Sequence, residues 1–272
     1  MARRLLFPTF MKSRSLFSAA FALSVLGALP ASGALSLLYS TTFSSPTYSD
    51  GALIGQDGWA ITGTATNNPV LVANASTNGN VPLVTTGQDV NRPLGSAGSA
   101  GSTFLVSATI NLSATQATGD YFMHLGDGGT SNLIGRVYAR SATGGFQLAY
   151  LSSSGTPAAG AWGTTVLSLA TSYNILFRYD YVAGAINDTG SLWVNPTAND
   201  LLGGGDAPYV GLTISGTDPT GSLSTINLRQ GATASAPTLT IDNVSVSGDL
   251  IPEPSVMLLG ALGVLGILRR RR

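Results

Sequence analysis

Along the middle of the chain, apolar and polar positions alternate with a period of two. In Tyr173-Asn174-Ile175-Leu176-Phe177-Arg178-Tyr179-Asp180-Tyr181 every odd position is large and apolar or aromatic, the signature of a half-buried β-strand. Similar runs are Leu35 to Phe43, Trp59 to Thr64, Val70 to Ala73, Thr103 to Leu112, Tyr121 to Leu125 and Leu133 to Arg140. Further on come Phe146 to Leu151, Thr164 to Leu169, Ser191 to Val194, Gly211 to Ile214, Leu223 to Leu228 and Thr238 to Val246. Turn signals separate them, among them Asn67-Asn68-Pro69, Asn78-Gly79-Asn80, Gly126-Asp127-Gly128-Gly129, Thr143-Gly144-Gly145 and Asp218-Pro219. Many short strands at fairly even spacing, with no amphipathic helical stretch between them, predict an all-β fold: a two-sheet antiparallel β-sandwich. In the last run Leu239 and Ile241 are in one phase and Val244 and Val246 in the other, so a bulge is expected near Asp242-Asn243. Ser96 to Ser102, made of Gly, Ala and Ser alone, reads as a flexible loop.

The pattern changes at both ends. A basic stretch through Arg14 is followed by an apolar run from Leu16 to Leu29 and the small-residue stretch Pro30-Ala31-Ser32-Gly33-Ala34. That order is the layout of a secretory signal helix, with cleavage expected after Gly33 or Ala34, so residues 1–34 read as a signal peptide. At the other end Val256 to Leu268 is an apolar run of 13 residues, with Val256, Leu258, Leu259, Leu262, Val264, Leu265, Ile267 and Leu268 as its anchoring side chains. As a helix it spans roughly 20 Å, short of a hydrocarbon core about 30 Å thick. Arg269, Arg270, Arg271 and Arg272 follow at once and read as a stop-transfer cluster that stays on the cytoplasmic side. Ahead of the run, the prolines of Pro252-Glu253-Pro254 flank an acid, keep the backbone extended and block helix propagation, which leaves it open to a protease. The expected domains are thus 1–34, a β-sandwich over 35–250, and a tail over 251–272.

The sequence Pro252-Glu253-Pro254-Ser255, a short apolar helix with Gly260 and Gly263, and the closing arginines together resemble the PEP-CTERM sorting signal of exported bacterial proteins. The resemblance implies an exosortase, a membrane-embedded cysteine transpeptidase, as partner, and cleavage near Pro252-Glu253-Pro254. It implies a transient membrane anchor, display at the cell surface or in the extracellular matrix, and extracellular polysaccharide as a second partner. The body invites a looser comparison: Gly55-Gln56-Asp57-Gly58-Trp59, the aromatic run Tyr173 to Tyr181, and Leu239 to Val246 resemble the opening, middle and final strands of concanavalin-like jelly rolls. That implies a jelly-roll sandwich and a lectin-like ancestry.

Charge and composition narrow the chemistry. Of 272 residues 13 are basic, but eight of those lie in the two ends. Between Leu35 and Ile251 five arginines face twelve aspartates with no glutamate, a net charge of −7. Such a body repels phosphate backbones, and nucleic acid is not an expected partner. Without cysteine there are no disulfides and no thiolate metal ligands. The only lysine is Lys12, so a Walker loop is excluded, and no Gly-x-Ser-x-Gly elbow occurs. Glycosidases on such sandwiches usually pair carboxylates along one strand, a pattern the body lacks. His124, the only histidine, alternates in phase with Phe122 and reads as structural. Gly126 to Gly129 and Asn187-Asp188-Thr189-Gly190 offer oxygen ligands to calcium, but turn chemistry accounts for both. No metal, cofactor or catalytic residue is therefore expected. Trp59, Trp162, Trp193, Tyr121 and Tyr138 are available to stack on sugar rings, but aromatics dominate the packing of sandwiches and most of the five read as core. The reading is a non-catalytic displayed sandwich; the alternatives are a carbohydrate-binding module and, third, an enzyme acting on polysaccharide.

Overall fold

A computed structural model describes residues 35–153, 155–197, 207–217 and 221–249. The signal segment 1–34 and the tail 251–272 lie outside the described residues, and with them the two expected terminal helices. Two large antiparallel sheets make up the body. The seven-stranded one runs β1 (Ser36–Thr41), β15 (Thr238–Asp249), β7 (Thr103–Ala114), β11 (Ser172–Asp180), β12 (Thr189–Val194) and β13 (Val210–Gly211). Its seventh strand, β5 (Val81–Leu83), also pairs with β15. The six-stranded sheet runs β10 (Gly145–Leu151), β9 (Leu133–Ala142), β8 (Asp120–Gly126), β14 (Leu223–Leu228), β6 (Asp89–Gly98) and β3 (Ala60–Thr62). A small pair, β2 (Gly51–Ala52) with β4 (Leu71–Val72), completes the set. One 3-10 turn, Ala159–Ala161, is the only helical element among the described residues, and none of their helices is long and apolar enough to cross a membrane.

Both large sheets feed one hydrophobic core, the arrangement of a β-sandwich. On β7 the inner side chains are Phe104, Val106, Ala108, Ile110 and Leu112, and on β11 they are Ile175, Phe177 and Tyr179. Opposite them stand Phe122, Val137, Phe146, Leu148 and Tyr150 of the six-stranded sheet. Tyr150 and Phe177 meet across the interior with ring centroids 5.4 Å apart. The period of two read from Tyr173 to Tyr181 is therefore the inward face of one central strand. Its outward Leu176 joins Leu105 and Trp193 in a small apolar patch on the other side of the sheet.

The expected bulge is present: the register of β15 against β7 shifts between Asp242 and Ser245, with Asn243 at φ 52°. The shift brings Leu239, Ile241, Val244 and Val246 into the same core. It also divides the outer edge of β15, where β5 pairs with residues 239–241 and β1 with residues 244–248.

Three expectations are corrected. Thr164 to Leu169 is not a strand; only Leu167 bridges to Phe146. Ser96 to Gly98 belong to β6, and the turn is confined to the residues between β6 and β7. Small residues suffice there because β6 pairs with β14 through its backbone, up to Leu223 opposite Gly98. The remainder of β6 escaped notice because Pro93 and Gly95 interrupt it and its pairing is irregular. Finally, His124 does not share a face with Phe122. Irregularities on either side of Met123 in the β8–β9 pairing put both Phe122 and Met123 in the core, while the His124 ring lies 5.6 Å from that of Tyr121.

Candidate functional site

The outer face of the six-stranded sheet concentrates the polar chemistry of the body. From β14 come Thr225, Asn227 and, just past its end, Arg229; from β8, Tyr121 and His124; from β9, Arg136, Tyr138 and Arg140; from β6, Asp89 and Asn91. Tyr121, Tyr138, Ala149, Leu151, Ala161 and Trp162 form an apolar cluster separate from the main core. Three arginines rest on its rings. Arg229 and Arg136 place their guanidiniums 4.1 and 4.7 Å from the centre of the Tyr121 ring, and Arg140 sits 4.4 Å from Trp162. Such contacts hold a cation without deprotonating anything. Burial pushes the phenols of Tyr121 and Tyr138 up, against the pull of the neighbouring arginines.

Two carboxylates from different strands do meet here, a juxtaposition that sequence spacing alone hides. Arg229 lies between them, with Nη1 2.7 Å from Asp120 Oδ1 and Nε 3.8 Å from Asp89 Oδ2. Their remaining oxygens are engaged: Asp120 Oδ2 accepts from the Ser235 hydroxyl, and Asp89 Oδ1 accepts from the Gln230 N–H. Burial raises the pKa of Asp89, and the Gln230 N–H and Arg229 pull it back only in part. Burial alone would lower the Arg229 pKa, but the hydrogen bond to Asp120 and the surrounding acids raise it. The trio is a hydrogen-bonded structural node, since the two carboxylates share one cation and each has a further donor.

His124 is 3 % exposed. Its Nδ1 lies 2.8 Å from the Leu125 carbonyl, which only accepts, so Nδ1 carries the proton and donates. Burial pulls its pKa down to about 3, and the nearby Arg136 and Arg229 add to that pull. The ring is a neutral, buried part of the sheet. Toward one end of the same face a groove of about 410 Å³ opens, lined by Asn91, Ser96, Asp127, Ser224 and Thr225 among others. Beside it the Asn227 amide donates to Thr225 while its Oδ1 has no partner, a buried acceptor of the kind that normally finds one.

The other candidates scatter. Trp59 is 2 % exposed and donates to the hydroxyls of Tyr39 and Tyr48, both of which also bond Asp57 Oδ2. Trp162 and Trp193 are 5 % and 8 % exposed, so none of the three indoles presents a free stacking face. Asp127 accepts from the Gly129 N–H in an ordinary turn. Asp188 is buried, accepting from the Val182 N–H and the Tyr179 hydroxyl. Among the described residues no three metal-ligating side chains come together.

With β15 ending at Asp249, the next residues decide where the protein goes. Residues 250–272 match the PEP-CTERM protein-sorting motif. The PEP-CTERM motif implies an exported protein of the cell envelope, sorted by an exosortase, itself a membrane protein. No curated protein matches the chain. Among solved structures the body is similar to domain 4 of AbnA, an extracellular arabinanase from Geobacillus stearothermophilus, at 13 % identity, over 78 % of this chain and 92 % of that one, with a TM-score of 0.44. It is also similar to the alginate lyase Aly36B at 13 % identity, over 76 % and 95 %, with a TM-score of 0.46. A beta-1,3-glucanase from Mycobacterium marinum matches at 14 % identity, over 78 % and 98 %, with a TM-score of 0.44.

Proposed function

We propose that this protein is exported, cut by an exosortase near Pro252-Glu253-Pro254, and left at the cell surface or in the extracellular matrix as a non-catalytic β-sandwich. The observation that carries the proposal is the sorting motif at residues 250–272, which starts at the residue after the last strand. The state of the outer face supports the non-catalytic part. Its histidine is neutral and buried, and its two carboxylates share one arginine while their other oxygens accept from Gln230 and Ser235. Mass spectrometry of the C-terminus, from cells with and without the exosortase, tests the sorting step. The expected result is a chain ending near residue 254 only where the enzyme is present; an intact Arg272 end in both strains would overturn the reading.

One observation favours a second reading, a carbohydrate-binding module. The groove over Asn91, Asp127 and Thr225 is lined by amide, carboxylate and hydroxyl groups. Those are the donors and acceptors that a polyol needs. Ser96 is exposed in its wall, so Ser96→Trp fills the groove without touching the core. In polysaccharide pull-downs a binding module loses about tenfold or more in affinity on that substitution, about 1.4 kcal/mol. Equal retention of wild type and variant rejects the groove as the binding site.

A further inference from the structure

We propose that one end of the sandwich, formed by the start of β1, the end of β15 and the loop from β11 to β12, is a lipid-facing surface that rests on the membrane while the tail is anchored. The proposal rests on the reading of the tail as a membrane anchor. The ends of the described body leave from one place, since Ser36 pairs with Gly248 across β1 and β15. Asp249, the last strand residue, pairs with Thr103, and Thr103 pairs with Asp180, where β11 gives way to the loop. Residues 250–255 alone separate Asp249 from Val256, where the apolar run begins. Seven peptide links reach at most about 25 Å when fully extended, whereas the 12 residues of β15 run for about 40 Å. A tether shorter than the strand it follows fixes which end of the body meets the bilayer.

That end carries the apolar groups a lipid surface takes. Among the described large hydrophobic side chains, Leu37 at 64 % and Ile186 at 58 % are the two most exposed, and Val182 in the same loop is 36 % exposed. Ile186 is held at φ 62°, a conformation that a β-branched residue adopts only under constraint. Two of the neighbouring charges are withdrawn, since Asp180 is paired with Arg178 at 2.9 Å and Asp188 is 2 % exposed; Asp249 stays partly exposed, at the point where the chain leaves for the tail. At the opposite end Leu169 is also exposed, at 39 %, but no terminus of the described body leaves there, which makes it the natural control.

The chain has no cysteine, so Leu37→Cys, Ile186→Cys and Leu169→Cys each place one environment-sensitive fluorophore on the full-length protein. The labelled proteins are reconstituted into phosphatidylethanolamine vesicles containing phosphatidylglycerol, with and without spin-labelled lipid, and followed by flotation and fluorescence. The expected result is that all three float, that emission from positions 37 and 186 shifts to the blue and is lost to the spin label, and that position 169 stays water-like. A floating chain with positions 37 and 186 as water-like as 169, or with 169 equally quenched, overturns the proposal and leaves the anchor reading intact. A chain that does not float overturns both.

Discussion

His124 shows how a residue chosen for its chemistry can be absorbed into structure. Its pKa lies at about 3 in the fold against about 6.5 in an unfolded chain, so between these values the unfolded state binds the extra proton. Stability is therefore complete above pH 6.5 and falls as the pH drops toward 3. At pH 4.5 the loss amounts to about 3 kcal/mol. Urea unfolding of the wild type should show this decline, and His124→Gln should flatten it; a wild type equally stable at both pH values contradicts the buried neutral state. The lone histidine was plain in the sequence. Which face it occupies was not, because strict alternation assumes an even register and β8 slips on both sides of Met123. The meeting of Asp89, Asp120 and Arg229 left no local trace either, since the three come together only through the pairing of β6, β14 and β8.

At the scale of elements, strands whose alternation is filled by large side chains were readable, and those held mainly by backbone were not. β7, β11 and β15 carry an apolar or aromatic side chain on their inward positions, nearly all of them large, whereas β6 runs through Pro93, Gly95 and three small residues and is defined by its neighbours. The apolar positions of Thr164 to Leu169 suggested a strand, yet the segment makes one bridge and otherwise lies over the rim of β10. That contact depends on Gly145. A Cβ there would come within 1.9 Å of the Leu167 carbonyl oxygen, so Gly145→Ala must push the segment away and break the paired bonds between Phe146 and Leu167. We expect a loss of about 1 to 3 kcal/mol in thermal or urea unfolding, with amide exchange quickened at Phe146 and Leu167 and unchanged on β7. Unaltered protection at those two amides would show that the bridge tolerates the added methyl.

For the molecule as a whole, the two kinds of information in the chain are separate. The PEP-CTERM motif is written in 23 residues at the end and needed no fold to be recognised. The outer face of the six-stranded sheet is written in residues spread from Asp89 to Arg229 and becomes a site only when the sheet is assembled. This separation explains why the destination of the protein was legible and the work of its sandwich was less so. In the acidic, lysine-free body five arginines serve the fold as ring and carboxylate partners, and the remaining cations sit in the first fourteen residues and the last four.

The place of β15 has a temporal consequence. It is the last strand among the described residues, yet it sits inside its sheet, bonded to β7 on one side and to β1 and β5 on the other. Ser36 and Gly248, which it brings together, are more than two hundred residues apart along the chain, the kind of distant pairing that closes slowly. A chain threaded outward from its N-terminus cannot seal its sandwich until residues 238–249 have crossed. By then the apolar run of the tail is the next stretch to enter the pore. If the tail anchors as proposed, completion of the fold and arrest at the bilayer become consecutive steps of one export event, with the tail holding the chain while β15 finds its slot.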